Sequence, residues 1–155
     1  MSDVGGYGSG VTAEPLNAAS ERLRAEMPRW DDPDYVKSAG RAVLAADFSR
    51  EDRRRLVAMP TGDVDAYLDS FDAWYEIGDG QPKFNVEEVI GVRGERLVLT
   101  RTRVSYASGQ ATEFLYLFQF DQRIDKVERQ LAFDLDDVDA ALDELGVIQC
   151  ALDRP

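Results

Sequence analysis

The stretch ATEFLYLFQFDQRIDKVERQLAF, residues 111–133, decides the fold of this chain. In its first half leucines alternate with aromatic residues, which all fall on one face of a strand: Phe114, Tyr116, Phe118 and Phe120. Leu115 and Leu117 fall on the opposite face, so this strand is apolar on both sides and must be covered on both sides. We expect helices to cover one face, and either a C-terminal helix or a second copy of the chain to cover the other.

Strand patterns continue on both sides of this stretch. The period changes to two after Pro82, which predicts strands over 84–92, 96–107, 111–120 and 124–133. Turn signals at Gly94, Ser108–Gly109 and 121–123 separate them. Short turns between consecutive strands favour an antiparallel meander, so we predict a curved antiparallel sheet from 82 to 133.

Helical periodicity dominates the remainder of the chain. Apolar residues recur every three to four positions over 15–27, 33–46, 62–77 and 134–145, and a short edge strand fits 48–56. Asp32 and Pro33 suit the start of the second helix. The order predicts an α+β fold in which the sheet wraps around N-terminal helices, with the 62–77 helix in its concavity and a C-terminal helix at the end.

Composition limits the function. The 155 residues include 18 Lys+Arg and 30 Asp+Glu, a net charge of −12, which argues against binding to nucleic acid or to anionic membranes. Histidine is absent and Cys150 is the single cysteine, so histidine chemistry and cysteine metal clusters are excluded. We expect a cytoplasmic protein with one domain over 13–149, a flexible tail over 1–12 and a short tail over 150–155.

Four segments together resemble the NTF2-like superfamily, which includes SnoaL-like polyketide cyclases and ketosteroid isomerases. They are LAADFSRED (44–52), the helix 63–75, FQFDQRI (118–124) and FDLDDVDAAL (133–142). The resemblance implies a cone-shaped α+β domain that binds a small apolar molecule, with or without catalysis. Scytalone dehydratase-like chemistry needs histidines, and limonene epoxide hydrolase-like chemistry needs an Arg-x-Asp step that Arg101-Thr102-Arg103 lacks.

The resemblance also suggests catalytic residues. Asp52 matches the isomerase base, Tyr116 could donate to an enolate oxygen, and Glu128 matches a strand acid inside the cone. The arginines around Asp52 would lower the pKa of its carboxyl group, which disfavours a role as a base and favours a salt bridge.

Aromatic residues of the 62–77 helix and the third strand are the candidate ligand-binding residues: Tyr67, Phe71, Trp74, Phe114 and Phe118. We predict that Tyr67, Trp74, Tyr116 and Phe118 converge on an internal cavity whose only carboxylate is Asp52 or Glu128.

Three functions remain open from the sequence. A cone that binds a small hydrophobic molecule is the first, an isomerase or cyclase acting on a polyketide- or steroid-like carbonyl compound is the second, and a partner-binding adaptor is the third. No cofactor or metal is predicted, because the acidic run 134–139 lacks the glycine and the distant glutamate of a calcium loop and suits a helix start. A homodimer through the convex face of the sheet is expected from the two-sided apolar strand.

Overall fold

The computed structural model describes residues 14–55, 61–77 and 82–154, and of residues 74–77 the backbone only. The strands are β1 (Leu44–Asp52), β2 (Lys83–Arg93), β3 (Leu97–Ser105), β4 (Ala111–Phe120) and β5 (Val127–Phe133). The α-helices are α1 (Ala18–Glu26), α2 (Pro33–Ala39), α3 (Val64–Ile77) and α4 (Val138–Leu152). Short 3₁₀ helices cover Met27–Asp31, Gly40–Val43 and Leu135–Asp137. The flexible tail predicted for 1–12 lies outside the described residues.

The five strands form one sheet in the order β1-β5-β4-β3-β2. Strands β2 to β5 are antiparallel neighbours, which confirms the predicted meander. Strand β1 adds to the edge of β5 in parallel, with Asp52 paired to Ala132. This strand starts at Leu44, inside the segment predicted as helix, because Leu44 and Phe48 are buried in the sheet and this packing outweighs the helical preference of the alanines.

Helix α4 covers the convex face of the sheet. Leucines from three strands are at most 1% exposed there, packed with Ala141, Leu145 and Ile148: Leu97, Leu99, Leu115, Leu117 and Leu131. The apolar face that motivated the homodimer prediction is therefore buried within one chain. The helix passes the predicted stop at Gly146 and reaches Leu152, since Ile148 also packs on the sheet.

The N-terminal helices pack on the concave face. A capping box at Asn17 and Ser20 starts α1, and the Asn17 amide also donates to the carbonyl groups of Gly94 and Leu97. These bonds anchor α1 to the β2–β3 hairpin. Tyr67 and Phe71 of α3 pack beside Phe48, with Tyr67–Phe48 ring centres 5.1 Å apart, which confirms the predicted position of α3 in the concavity. No helix among the described residues is long and apolar enough to cross a membrane.

Candidate functional site

An apolar cavity lies between the concave face of the sheet and the helices. The space open to the centre of a water molecule is about 40 Å³. Three of the four residues predicted to converge line it: Tyr67 of α3 and Tyr116 and Phe118 of β4. Phe71 of α3, another predicted ligand-binding residue, lines it as well. The other lining residues are Leu23, Glu26, Met27, Trp30, Val43, Leu44, Phe48, Phe84, Phe120, Val127 and Gln130.

One of the predicted ligand-binding residues, Phe114, lies elsewhere. Phe114 is buried at the far end of β4 and is not among the residues that line the cavity. The side chain of Trp74 lies outside the described residues. The sequence did not identify Trp30, Phe48 or Phe84 as lining residues, because each comes from a segment outside the two aromatic runs and reaches the cavity only through tertiary packing.

The cavity is small. It can hold water, which needs roughly 10–15 Å³ measured in this way, but an engineered cavity that binds benzene has about 150 Å³. A ligand of that size or larger can therefore enter only if lining side chains move. Trp30, Tyr67 and Phe71 contact one another at ring-centre distances of 5.3 to 6.0 Å. These three rings occupy the space beside the cavity, and we expect them to move when such a ligand enters.

Tyr116 contributes a hydroxyl group to this apolar wall. The residue is 5% exposed, and burial raises the pKa of its hydroxyl, with Tyr67 and Asp52 acting in the same direction against Arg54 and Arg50. The side chain is therefore neutral near pH 7 and can donate. No hydrogen bond to this hydroxyl comes from residues 14–55, 61–73 and 82–154 or from the backbone of 74–77.

Gln130 is the second polar group of the wall. It is 2% exposed and lies directly opposite Phe118 across the β4–β5 pair. Its Nε2 donates to the Tyr67 hydroxyl over 3.3 Å, whereas its Oε1 accepts no hydrogen bond from the described part of the chain. Gln130 was not predicted from the sequence, because the alternation along β5 left open which face points inward.

Among the described residues that line the cavity, the carboxylate is Glu26, at the end of α1, and not the predicted Asp52 or Glu128. It accepts hydrogen bonds from Arg22 (2.7 Å), Trp30 (3.0 Å) and Tyr35 (2.5 Å). Burial acts to raise the pKa of this carboxyl group, but the bonds from Tyr35, Arg22 and Trp30 outweigh it and lower the pKa. Glu26 is thus held ionised and suits a structural role. The i, i+4 spacing from Arg22 to Glu26 and from Glu26 to Trp30 was the available sequence signal.

Asp52 is on the inner face of β1, but it is not among the residues that line the cavity. Its side chain is 2% exposed, and both carboxylate oxygens accept from Arg54, at 2.9 Å (Nε–Oδ1) and 2.5 Å (Nη2–Oδ2). The Arg54 guanidinium lies 4.5 Å from the centre of the Phe114 ring. Burial acts to lower the pKa of Arg54, but the bond to Asp52 and the attraction of its charge outweigh burial, so the pKa of Arg54 is raised.

Glu128 is outside the cavity wall. A register shift after Gln119 turns its side chain to Arg96 and Gln119, whose nitrogens donate to Oε1 at 2.7 Å each. The side chain is 24% exposed. The structure therefore brings Tyr67, Tyr116 and Phe118 together and leaves Glu128 apart.

The acidic run beyond β5 binds an arginine. Oxygens of Asp134, Asp136 and Asp137 lie within 4.8 Å of one another. The Arg55 guanidinium donates to Asp136 and Asp137 at 2.8 Å each, and its backbone N–H donates to Asp134. The acidic run lies at a helix start, as predicted, with acidic residues in the first turns of the Leu135–Asp137 3₁₀ helix and of α4, but no side chain in the described part of the chain caps either helix. The three carboxylates accept hydrogen bonds from Arg55 instead.

Comparison with known proteins identifies the architecture. No family model and no curated protein sequence matches the chain. A protein of the SnoaL-like family from Agrobacterium tumefaciens superimposes with a TM-score of 0.58 and 10% identity, over 75% of this chain and 96% of that one. An NTF2-like protein of unknown function from Mesorhizobium loti gives 0.53 and 18%, over 79% and 98%.

This chain has the NTF2-like fold. A computationally designed 17-OHP binder shares it, with a TM-score of 0.55 and 15% identity over 76% of this chain and 92% of the design. The superfamily resemblance seen in the sequence is confirmed at the level of the fold. At these identities the NTF2-like fold does not determine a function, which has to be argued from the cavity itself.

Proposed function

We propose that this protein binds a small hydrophobic molecule in its cone and does not catalyse a reaction on it. The apolar cavity carries this proposal, because its wall is aromatic and aliphatic apart from Glu26, Gln130 and the two tyrosine hydroxyls. Sites for small molecules typically combine an apolar lining with a few polar groups that fix orientation. A designed protein of the same fold that binds 17-OHP supports the use of such a cone for binding.

The carboxylates near the cavity favour binding over proton transfer. A general base near neutral pH needs a carboxylate whose pKa is raised and whose oxygens can reach substrate. Glu26 has a lowered pKa and three donors, and both oxygens of Asp52 accept from Arg54. Each would have to lose charge-assisted hydrogen bonds before it could accept a proton from carbon, which makes either one a weak base.

Benzene tests the proposal as a minimal apolar probe. We expect it to shift the backbone amide NMR signals of Phe71, Tyr116 and Gln130 in a saturable way. Val127→Phe fills the cavity from β5 and should abolish these shifts. Val147→Phe, at a position on α4 that is 63% exposed, is the matched control and should leave them unchanged.

Two outcomes contradict the proposal. One is the absence of saturable shifts in the folded wild-type protein up to the solubility limit of benzene. The other is equal binding by Val127→Phe, provided that its circular dichroism spectrum and melting curve show that it is folded. Overpacking costs about 1–3 kcal/mol, so the fold of this variant has to be checked.

Proton transfer on a carbonyl compound is the second candidate function. One observation favours it: Ala132 pairs with Tyr116 on one side and with Asp52 on the other, so a donor and a buried carboxylate share one row of the sheet. The two backbones are then about 10 Å apart, two strand spacings. In such a reaction Asp52 would take a proton next to the carbonyl and return it to another carbon, while Tyr116 donates to the enolate oxygen.

Isomerisation of a β,γ-unsaturated ketone to its conjugated isomer separates the two functions. The conjugated product absorbs in the ultraviolet, and we expect no enzyme-dependent increase in absorbance. Activity that is lost in Asp52→Asn and kept in Asp47→Asn, an exposed position of the same strand, would establish the second function instead.

The cytoplasmic location and the homodimer stay predictions, and sedimentation at micromolar concentration tests the dimer.

A further inference from the structure

The carboxamide of Gln130 has a hydrogen-bond partner among the described residues at one of its two ends only. Its Nε2 bonds to Tyr67, while the buried Oε1 has no partner in the described part of the chain. Buried acceptors are nearly always paired, because an acceptor withdrawn from water without a partner destabilises the fold. An exception of this kind on the wall of a cavity indicates that a group outside the described residues supplies the missing donor, and a bound ligand is the candidate that the cavity offers.

Packing does not explain this glutamine. Two of its neighbours on the inner face are apolar, Phe118 opposite on β4 and Ala132 two positions along the same strand. The third is the buried Arg50, opposite on β1, whose guanidinium donates to Ser70 and lies over the Tyr67 ring. A methionine has nearly the same length and shape and would occupy this position without a buried amide. The bond to the Tyr67 hydroxyl does not require a glutamine either, because a phenylalanine at position 67 would remove the need for it.

Two polar groups of the wall, the Gln130 Oε1 and the Tyr116 hydroxyl, are together complementary to a hydroxyl group of a ligand. The Gln130 Oε1 can only accept, so it needs a donor from the ligand. The neutral Tyr116 hydroxyl can donate to the ligand oxygen. An alcohol or phenol can both donate to Gln130 and accept from Tyr116, whereas a ketone can only accept and leaves the Gln130 acceptor unpaired.

Charged ligands fit this wall poorly. The ionised group among the residues that line the cavity is Glu26, and its two oxygens already accept from Arg22, Trp30 and Tyr35. An ammonium group would have to compete with Arg22, and a carboxylate would face both Glu26 and the acceptor of Gln130. A neutral polar group is therefore favoured.

We infer that Gln130 selects the polar group of the ligand, and that the cavity prefers a hydrophobic alcohol or phenol to the corresponding carbonyl compound. This inference rests on the proposed binding function and adds the chemical class of the ligand. Gln130 is the specificity-determining residue and Tyr116 supports it as a donor.

Cyclohexanol and cyclohexanone provide a matched pair of probes, because they differ by two hydrogen atoms and have nearly the same size. NMR titration of the full-length protein measures both dissociation constants. We expect cyclohexanol to bind roughly three- to tenfold more tightly, the range for one buried hydrogen bond. Gln130→Met should bring the ratio close to one.

The control is Gln119→Met. Gln119 is a buried glutamine on the neighbouring strand, but its amide bonds to Glu128 outside the cavity, so this variant should keep the wild-type ratio. The wild-type ratio tests the inference even if Gln130→Met does not fold. Equal affinities overturn the inference, and a preference for cyclohexanone overturns it by showing that Gln130 presents its NH₂ group. Failure of both probes and of benzene to bind would instead refute the proposed function.

Discussion

Replacing Glu26 by glutamine removes one charge from the wall of the cone and keeps the shape of the side chain. The carboxylate accepts three side-chain hydrogen bonds, and it is 6% exposed. Glutamine can keep the bonds from Trp30 and Tyr35 through its oxygen, but its NH₂ group faces the Arg22 donor. We therefore expect the loss of one charge-assisted bond and the weakening of two others.

The expected loss in the free energy of unfolding at pH 7 is about 2–3 kcal/mol, since a hydrogen bond to a charged group contributes about 1.5–3 kcal/mol. Arg22 is 25% exposed and can turn to water, which keeps the loss near one such bond. In a chain of this length the loss corresponds to a decrease of about 4–12 °C in the melting temperature.

The pH dependence gives a second test of the same bond network. The pKa of Glu26 is lower in the folded protein than its ordinary value. Folding then favours the ionised form, so the stabilisation is complete above the ordinary glutamate pKa of about 4.3 and is lost as the pH falls through the folded value. The difference between wild type and Glu26→Gln should therefore be largest at pH 7 and become smaller at pH 3.

Urea unfolding followed by tryptophan fluorescence at both pH values measures these differences. Glu21→Gln, an exposed position in the first turn of the same helix, is the control and should change stability by less than about 1 kcal/mol. The reasoning is refuted if Glu26→Gln is as stable as wild type at pH 7, or if its deficit is the same at pH 3.

Three further substitutions test other parts of the structure. Leu145→Ala should destabilise the protein by about 2–5 kcal/mol in urea unfolding, because Leu145 is fully buried under the sheet, whereas Val147→Ala on the exposed side of α4 should change little. Asn17→Ala should lower stability by about 1–2 kcal/mol at least, since the cap of α1 is lost along with two bonds to the β2–β3 hairpin, and hydrogen exchange should show faster opening of α1. Tyr116→Phe should leave the unfolding free energy within about 0.5 kcal/mol of wild type, because the Tyr116 hydroxyl has no partner among the described residues. The same variant should bind cyclohexanol more weakly. A large loss of stability would mean that the hydroxyl is hydrogen-bonded in the folded protein.

Local patterns predicted the meander and most of the helices. The alternation along β4 indicated a strand that is buried on both faces, and α4 provides the cover that the sequence left open. Asp32 and Pro33 start α2 as predicted, since capping depends on neighbouring residues alone. The start of β1 at Leu44 was missed because an edge strand forms only when its partner, β5, is already in place.

The residues of the candidate site could also be predicted only in part from the sequence. Tyr67, Tyr116 and Phe118 could be placed in the cavity from periodicity, because large rings on the inward faces of a helix and a strand have to meet in the core. Glu128 could not be placed, since the register shift beside it depends on how β4 and β5 pair. Asp52 could be assigned to a salt bridge from the nearby arginines, but only the structure shows that Arg54 is the residue that binds it.

The sequence by itself determined the fold class, the acidic charge, the absence of histidine chemistry and the aromatic character of the cone. Those properties follow from composition and from side-chain periods of 2 and 3.6 residues, which are local. Only the tertiary structure decided that Glu26 lines one wall, that the Gln130 oxygen at the cavity has no partner among the described residues, and that α4 covers the apolar convex face. These features depend on strand register and on contacts between segments far apart in the chain, and a one-residue change in register reverses the face on which a side chain lies.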